Sequence, residues 1–348
     1  MATAGRRLTS DPRRAIAELR ASWTACTGPV TSFAFRLGGL TIRLHGAGTV
    51  LERLVPAFEH HPPVEDTTVA PDLTVLVWDL SITEHRPHLA GDVFHVDGDH
   101  DESRSGGEVR VRYDWPQQAI QVWDADEATG YWVIEDPDRL AWWEEAAPLR
   151  PMLAWFLTAQ GWYFAHGAAV AVDDRAVLLV GPGGSGKSTT ALRCQRAGLD
   201  YLGDDYCLVG TFGDDDGYVV ASLYRTAKLR PVDGPGFEAE LTRNEEGRKI
   251  VLTVDDRHGG AVIGRARLLG VASVEVGSGA TTEFSAGHAG TVLQALAPTT
   301  FEQLPGVGAR SLRAFATMLR SVPTGIIRLG HDTAGVVTAV RDRIEDWS

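Results

Sequence analysis

The sequence predicts an α/β protein of two domains: a mixed α/β domain in residues 1–150 and a P-loop domain in residues 151–348. Three observations carry this. The chain has 348 residues, about twice the roughly 150 of a typical domain. The apolar run "AVLLV" leads directly into "GPGGSGKS" and then into a helix-forming stretch, the strand–loop–helix order of phosphate loops. Both halves mix short apolar or alternating runs with stretches of helical period.

In order, a helix is expected over residues 12–23. "TSFAFRLGGLTIRLH" reads as two strands turning at Gly38 and Gly39. "TVLERLVPAFEHH" has helical period, with Leu51, Leu54, Val55 and Phe58 on one face. "DLTVLVWDL" and "EVRVRYDW" are strands, and "AIQVWDADEATGYWVIED" is a hairpin. Between them, residues 95–107 are rich in Asp, Gly, Ser and His; with no recognised ligand spacing they read as a solvated loop. "AWWEEAAPLRPMLAWFLTAQG" is expected as one helix into the second domain, with Trp142, Trp143 and Trp155 packing in the interior. A strand to Val172, a turn at Asp173 and Asp174, and a strand over 176–180 precede the loop. A helix over 187–197 follows it, ended by Gly198. Beyond lie a strand and hairpin in "YLGDDYCLVGTFGDDDGYVVASLY", its turn at 214–217. Then come the strand "ARLLGVASVEV", helices, a short strand over 325–329 and a last helix.

A hydrophobic share of 44% and a charged share of 23% are ordinary for a globular chain. The formal net charge of −13 argues against nucleic acid or an anionic membrane as partner. The three cysteines, Cys26, Cys194 and Cys207, fit no metal spacing. A reducing, cytoplasmic setting is expected. The N-terminal stretch lacks the apolar core of a secretory signal, and no apolar run reaches the ~20 residues of a membrane helix.

Gly181 to Ser188 fits G-x-x-x-x-G-K-[ST]. Gly181, Gly183, Gly184 and Gly186, with Ser185, let the backbone curl into a nest of inward N–H groups. The following helix adds its positive end. Lys187 is expected to reach the β- and γ-phosphates, Ser188 to offer its hydroxyl to Mg²⁺, and Thr189 to complete the loop's contacts. The cofactors implied are ATP and Mg²⁺.

The flanks bear on the chemistry. His166 precedes a strand of small residues that is expected to pair with the strand entering the loop, which brings it near the phosphates. Asp204 and Asp205 follow a short apolar stretch, where an aspartate beside a P-loop commonly holds Mg²⁺. Adjacent aspartates on a regular strand face opposite ways, so both enter one site only at a strand end or bulge. Arg225, Lys228 and Arg230 in "YRTAKLRP" form a basic cluster able to hold transferring phosphoryl oxygens or an anionic acceptor. Lys249, Arg265 and Arg267 are weaker candidates of the same kind.

"HGAAV", "GPGGSGKSTTAL" and "AGLDYLGDDYCLV" stand in an order and spacing that resemble the HPr kinase/phosphorylase catalytic domain, itself similar to the core of ATP-dependent phosphoenolpyruvate carboxykinase. "VPTGIIRLGHD" and its following helix resemble the ends of HPr kinase-like proteins of bacterial biosynthetic clusters. The resemblance covers roughly residues 155–346 and implies a serine-hydroxyl kinase using ATP and Mg²⁺, often a homo-oligomer. It implies His166 near the γ-phosphate, Asp204 as proton acceptor from the attacking hydroxyl, and Asp205 in the metal or water shell. The bifunctional HPr enzymes carry an acidic, glycine-containing signature after the hairpin. Here "LYRTAKLRP" stands in that region. This departure points away from HPr and phosphorolysis. A related branch phosphorylates the C-terminal serine of lasso-peptide precursors, so a peptide, protein or small-molecule hydroxyl is the expected acceptor. Residues 1–150 are a candidate for its recognition.

Two other functions fit the loop. One is a nucleotide-binding regulator without phosphoryl transfer. The other is an ATPase coupled to movement, for which no further signature stands in the chain.

Overall fold

The structure is a computed structural model that describes residues 12–87, 109–211, 217–229, 250–304 and 308–348. The loop at 95–107 and the turn residues 214–216 lie outside the described residues. By contacts the chain divides into two compact units. One holds residues 1–56 and 62–156; the other holds 57–61 and 157–348. The division falls inside a helix, Arg150–Ala159, rather than at its start.

The first unit is a six-stranded sheet in the order β1-β2-β3-β6-β5-β4. Its strands are β1 (Val30–Leu37), β2 (Leu40–Ala47), β3 (Leu73–Asp79), β4 (Val109–Asp114), β5 (Ala119–Asp124) and β6 (Thr129–Ile134). Strands β2, β3 and β6 run parallel and the remaining pairs antiparallel. Helix α1 (Pro12–Thr24) buries Ala15, Ile16 and Leu19 against Trp78, Ile120, Val122 and Tyr131.

Two expected helices are broken, each at a proline. "TVLERLVPAFEHH" forms α2 (Val50–Leu54) and then a single 3₁₀ turn, Val55–Ala57. Pro56 lacks the N–H that would continue the ladder. Leu51, Leu54 and Phe58 are still buried, as their spacing predicts. "AWWEEAAPLRPMLAWFLTAQG" splits into α3 (Trp142–Ala146) and α4 (Arg150–Ala159). Between them, Pro148 precedes Leu149, which has a φ of 58°. The buried Glu144 carboxylate accepts the Leu149 N–H at 2.8 Å, and burial raises its pKa. Trp155 is buried, while Trp142 and Trp143 are half-buried and pack edge to face on each other.

The second unit is built on a nine-stranded mixed sheet. It comprises β7 (Tyr163–Ala165), β8 (Gly167–Val172), β9 (Arg175–Val180), β10 (Asp200–Gly203), β11 (Cys207–Thr211), β12 (Tyr218–Ser222), β15 (Arg265–Val276), β16 (Glu283–Ala286) and β17 (Thr324–Leu329). Strands β13 (Thr226–Leu229) and β14 (Ile250–Thr253) form a separate ribbon. The main path runs β10-β8-β9-β15-β12-β11-β7. Since β7 and β8 are consecutive in the chain, the sheet curls back on itself. The expected continuous strand into Val172 is therefore two strands with different partners, changing over at His166. Asp173 and Asp174, both at positive φ, join β8 to β9 in the two-residue geometry that suits strand twist.

Apolar residues alternate between two faces. Ala168, Val170, Val177 and Leu179 pack with α5 (Lys187–Arg196) and α8 (Thr333–Asp346). Ala169, Ala171, Ala176, Leu178 and Val180 pack with α6 (Ala289–Gln303) and α7 (Gly308–Ser321). Both faces being covered explains why β8 and β9 read as continuous apolar runs. No helix among the described residues is long and apolar enough to cross a membrane.

Candidate functional site

The glycine loop leaves the end of β9 and enters α5, between Val180 and Lys187. Its backbone needs glycine at two points. Gly181 has a φ of 146°, and a Cβ there would stand 2.7 Å from Ser185 Oγ and 2.8 Å from the Val274 carbonyl. Gly186 has a φ of 96°, and its Cβ would meet Leu329 Cδ1 at 2.4 Å. Side chains there would clash or strain the backbone. Pro182, Gly183 and Gly184 form the exposed rim, with open space beside Gly183. Lys187 is buried, and its Nζ donates to the carbonyls of Gly181 (2.8 Å) and Pro182 (3.1 Å). Thr189 is buried in the first turn of α5 and Ser188 is half-buried. Ser185 Oγ is buried without a hydrogen-bond partner among the described residues.

His166 lies between Ala165, opposite Cys207, and Gly167, opposite Val180. This register brings it beside the loop from one side and beside the two aspartates from the other. Its backbone N–H donates to Thr300 Oγ1 at 3.1 Å. Its Nε2 is 3.1 Å from Asp205 Oδ1, and its buried Nδ1 has no partner among the described residues.

Asp204 and Asp205 follow the end of β10, and Asp205 has a φ of 68°. Asparagine and aspartate tolerate this left-handed backbone better than most residues. The turn removes the strand alternation that would have separated the two carboxylates. Asp204 is buried, and its Oδ2 accepts the Lys228 N–H at 3.1 Å. Burial and the neighbouring Asp205 raise its pKa, against the opposing pull of the Lys228 N–H, Ser188 and Lys187. Asp205 Oδ2 pairs with Lys228 Nζ at 2.5 Å. Burial disfavours the Asp205 charge, yet Lys228 and His166 hold its carboxyl below the ordinary carboxylate range.

The structure thus brings together His166, Lys187, Ser188, Asp204, Asp205 and Lys228. It divides the basic cluster: Arg225 pairs instead with Glu59, while Arg230 and Lys249 lie outside the described residues. Arg265 and Arg267 are exposed at the start of β15. Arg267 is level with Arg175, at the end of β9 remote from the loop. Their expected role at the phosphates fails because β15 runs parallel to β9 and enters at that far end. Sequence reading also missed Thr300, 134 residues from His166, for which no local pattern gives a signal.

The residues fit a phosphate and a divalent cation. The loop supplies a glycine-rich turn at a strand end, a lysine and a buried hydroxyl, Ser185 Oγ, with no partner among the described residues. Ser188 and Asp204 supply hard oxygens. Among the described residues no group of three or more His, Cys, Asp and Glu could hold a metal ion. Magnesium sites that share their cation with a nucleotide need only one or two protein carboxylates.

No family model matches the chain. No curated protein matches it either. Among solved structures, the chain is similar to the HPr(Ser) kinase/phosphatase from Coxiella burnetii. That likeness has 12% identity and a TM-score of 0.32, over 53% of this chain and 97% of that one. The relationship is distant and structural.

Proposed function

We propose that the protein is an ATP- and Mg²⁺-dependent phosphotransferase acting on a hydroxyl, a serine of a peptide or protein or that of a small molecule. The observation that carries this reading is the convergence of two carboxylates, the buried Asp204 and the half-buried Asp205, with His166 on a lysine-bearing glycine loop. A loop that only bound nucleotide would need no second carboxylate with its own cation and histidine.

In this reading the loop N–H groups and Lys187 hold the phosphates. Ser188 and Asp204 would hold Mg²⁺, which when bound offsets phosphate charge. Asp205, whose side chain is 19% exposed, faces the acceptor. His166 and Lys228 fix its orientation, so its carboxylate can accept a hydrogen bond from the hydroxyl and align the attacking oxygen. This division exchanges the two aspartates relative to the sequence expectation. Its support is that Asp204 is the buried carboxylate whose pKa Ser188 and Lys187 lower, while the partners of Asp205 are His166 and Lys228.

The test is intact-mass analysis of candidate acceptors incubated with ATP, Mg²⁺ and the full chain. Precursor peptides encoded beside the gene, HPr and a panel of hydroxyl metabolites serve as acceptors. Gain of one phosphate, lost with Lys187→Ala and Asp205→Asn, is the expected result. ATP binding with no labelled product on any acceptor would replace this reading with that of a nucleotide-binding regulator.

A further inference from the structure

A second cleft in the same unit, of ≈ 580 Å³, is lined by none of the loop or carboxylate residues. Its walls include Tyr163 of β7, Thr211 of β11, Tyr218 of β12, and Arg310, Arg313 and Phe315 of α7. Tyr163 packs edge to face on the buried Phe315, giving the cleft an aromatic wall. Both arginines are exposed, and neither has an ion-pair or hydrogen-bond partner among the described residues. They stand three residues apart, hence on one helix face. Arg310 also lies in the first turn of α7, which contains no acidic residue. Helix N-termini favour anions and disfavour cations, so an arginine here repels the helix end that bears it. Among the described residues no acidic side chain lines the cleft, and its charges are those of the two arginines.

We propose that this cleft binds a small organic anion, a phosphate monoester or carboxylate carried on a planar or apolar body. The two guanidinium groups suit the oxygens of either anion, each able to donate two parallel hydrogen bonds. Tyr163 and Tyr218 suit the body, with Phe315 packed behind Tyr163. The volume is that of a small-molecule site. The cleft is separate from the glycine loop. On the paired strands β7 and β11, Tyr163 opposite Val209 lies at the cleft, whereas Ala165 opposite Cys207 adjoins His166. The proposal does not depend on the phosphotransferase reading.

The test is calorimetric titration of the full chain with phenyl phosphate and, separately, isophthalate. Saturable binding of at least one probe is expected, weakened at least about tenfold in Arg310→Ala/Arg313→Ala and retained in Lys187→Ala. The probe that binds distinguishes phosphate from carboxylate. No saturable binding up to ~10 mM, corresponding to less than about 3 kcal/mol, would overturn the proposal. So would binding lost in Lys187→Ala but kept in the arginine pair, since the anion would then sit in the loop. Should the alanine pair melt early, Arg310→Lys/Arg313→Lys keeps charge and helix propensity while removing the planar fork. Weakened binding in that variant supports the site, and unchanged binding overturns two-arginine recognition.

Discussion

At the scale of single residues, the site depends on a few positions where chemistry and backbone agree. In the proposed reading Lys187 is the cation of the loop and Asp205 the carboxylate facing the acceptor. Replacing either with Ala or Asn should lower phosphoryl transfer by ~10²–10³, the usual effect of removing one aligned charge-stabilising group. Initial rates on the acceptor identified by mass will check this. Asp204→Asn should differ in kind, raising the Mg²⁺ concentration needed for half-maximal rate. A magnesium titration unchanged from wild type would return Asp204 to the proton-acceptor role. Gly186→Ala tests the backbone rather than the charge. At a φ of 96° and with Leu329 Cδ1 2.4 Å from the added Cβ, it should destabilise the fold by about 1–3 kcal/mol, read by urea denaturation.

At the scale of elements, the short segment 57–61 is informative. Phe58 packs on Tyr224 with ring centroids 5.4 Å apart. His60 Nε2 is 2.7 Å from Ser222 Oγ, and His61 Nε2 is 3.0 Å from the Leu223 carbonyl. These contacts hold the chain just before β13, whose Lys228 reaches Asp205. Burial lowers both imidazole pKa values. His61 falls to about 4, against the pull of its carbonyl partner, and His60 falls to about 2, helped by His61 and Arg225. Both histidines are therefore neutral when folded and bind protons more readily when unfolded. Their contribution is complete above the unfolded pKa of about 6.5. It is lost as pH falls from there toward 4, by ~3 kcal/mol for His61 alone. Thermal melts from pH 7 to pH 4.5 should show this loss, and His61→Gln should flatten the profile. An unchanged profile would show that His61 is not the group responsible.

At the scale of the whole molecule, the second unit is not continuous in sequence: it includes residues 57–61. A fragment of residues 157–348 lacks Phe58, His60 and His61 and leaves Tyr224, Ser222 and the Leu223 carbonyl without them. That fragment should melt well below the full chain, and a peptide spanning residues 55–63 should restore part of the loss in trans. Equal melting temperatures would show that the second unit folds without the segment.

The strand–glycine loop–helix unit was legible from sequence because its constraints are local. The glycines, Lys187 and Ser188 are adjacent, and strand and helix flank them at fixed spacing. Most strands and their turns were legible for the same reason, through apolar period and Gly or Asp turns. The place of His166 beside the loop was expected from the pairing of its strand with the one entering the loop, whereas its contact with Asp205 was not. The broken helices at Pro56 and Pro148 were legible in principle, since proline interrupts a ladder whatever the period around it says. Other features depended on tertiary structure. The φ of Asp205 lets two adjacent carboxylates share a site that strand alternation would deny them. Lys228 is singled out from its basic neighbours because β13 carries it to Asp205, while Arg225 pairs with Glu59. Thr300, the segment 57–61 and the cleft at Arg310 and Arg313 all join residues far apart in the chain. Sequence by itself determines backbone conformations and chemistries whose interactions span a few residues. Only the fold decides which charges become neighbours, because burial and pairing are set by the return path of the sheet.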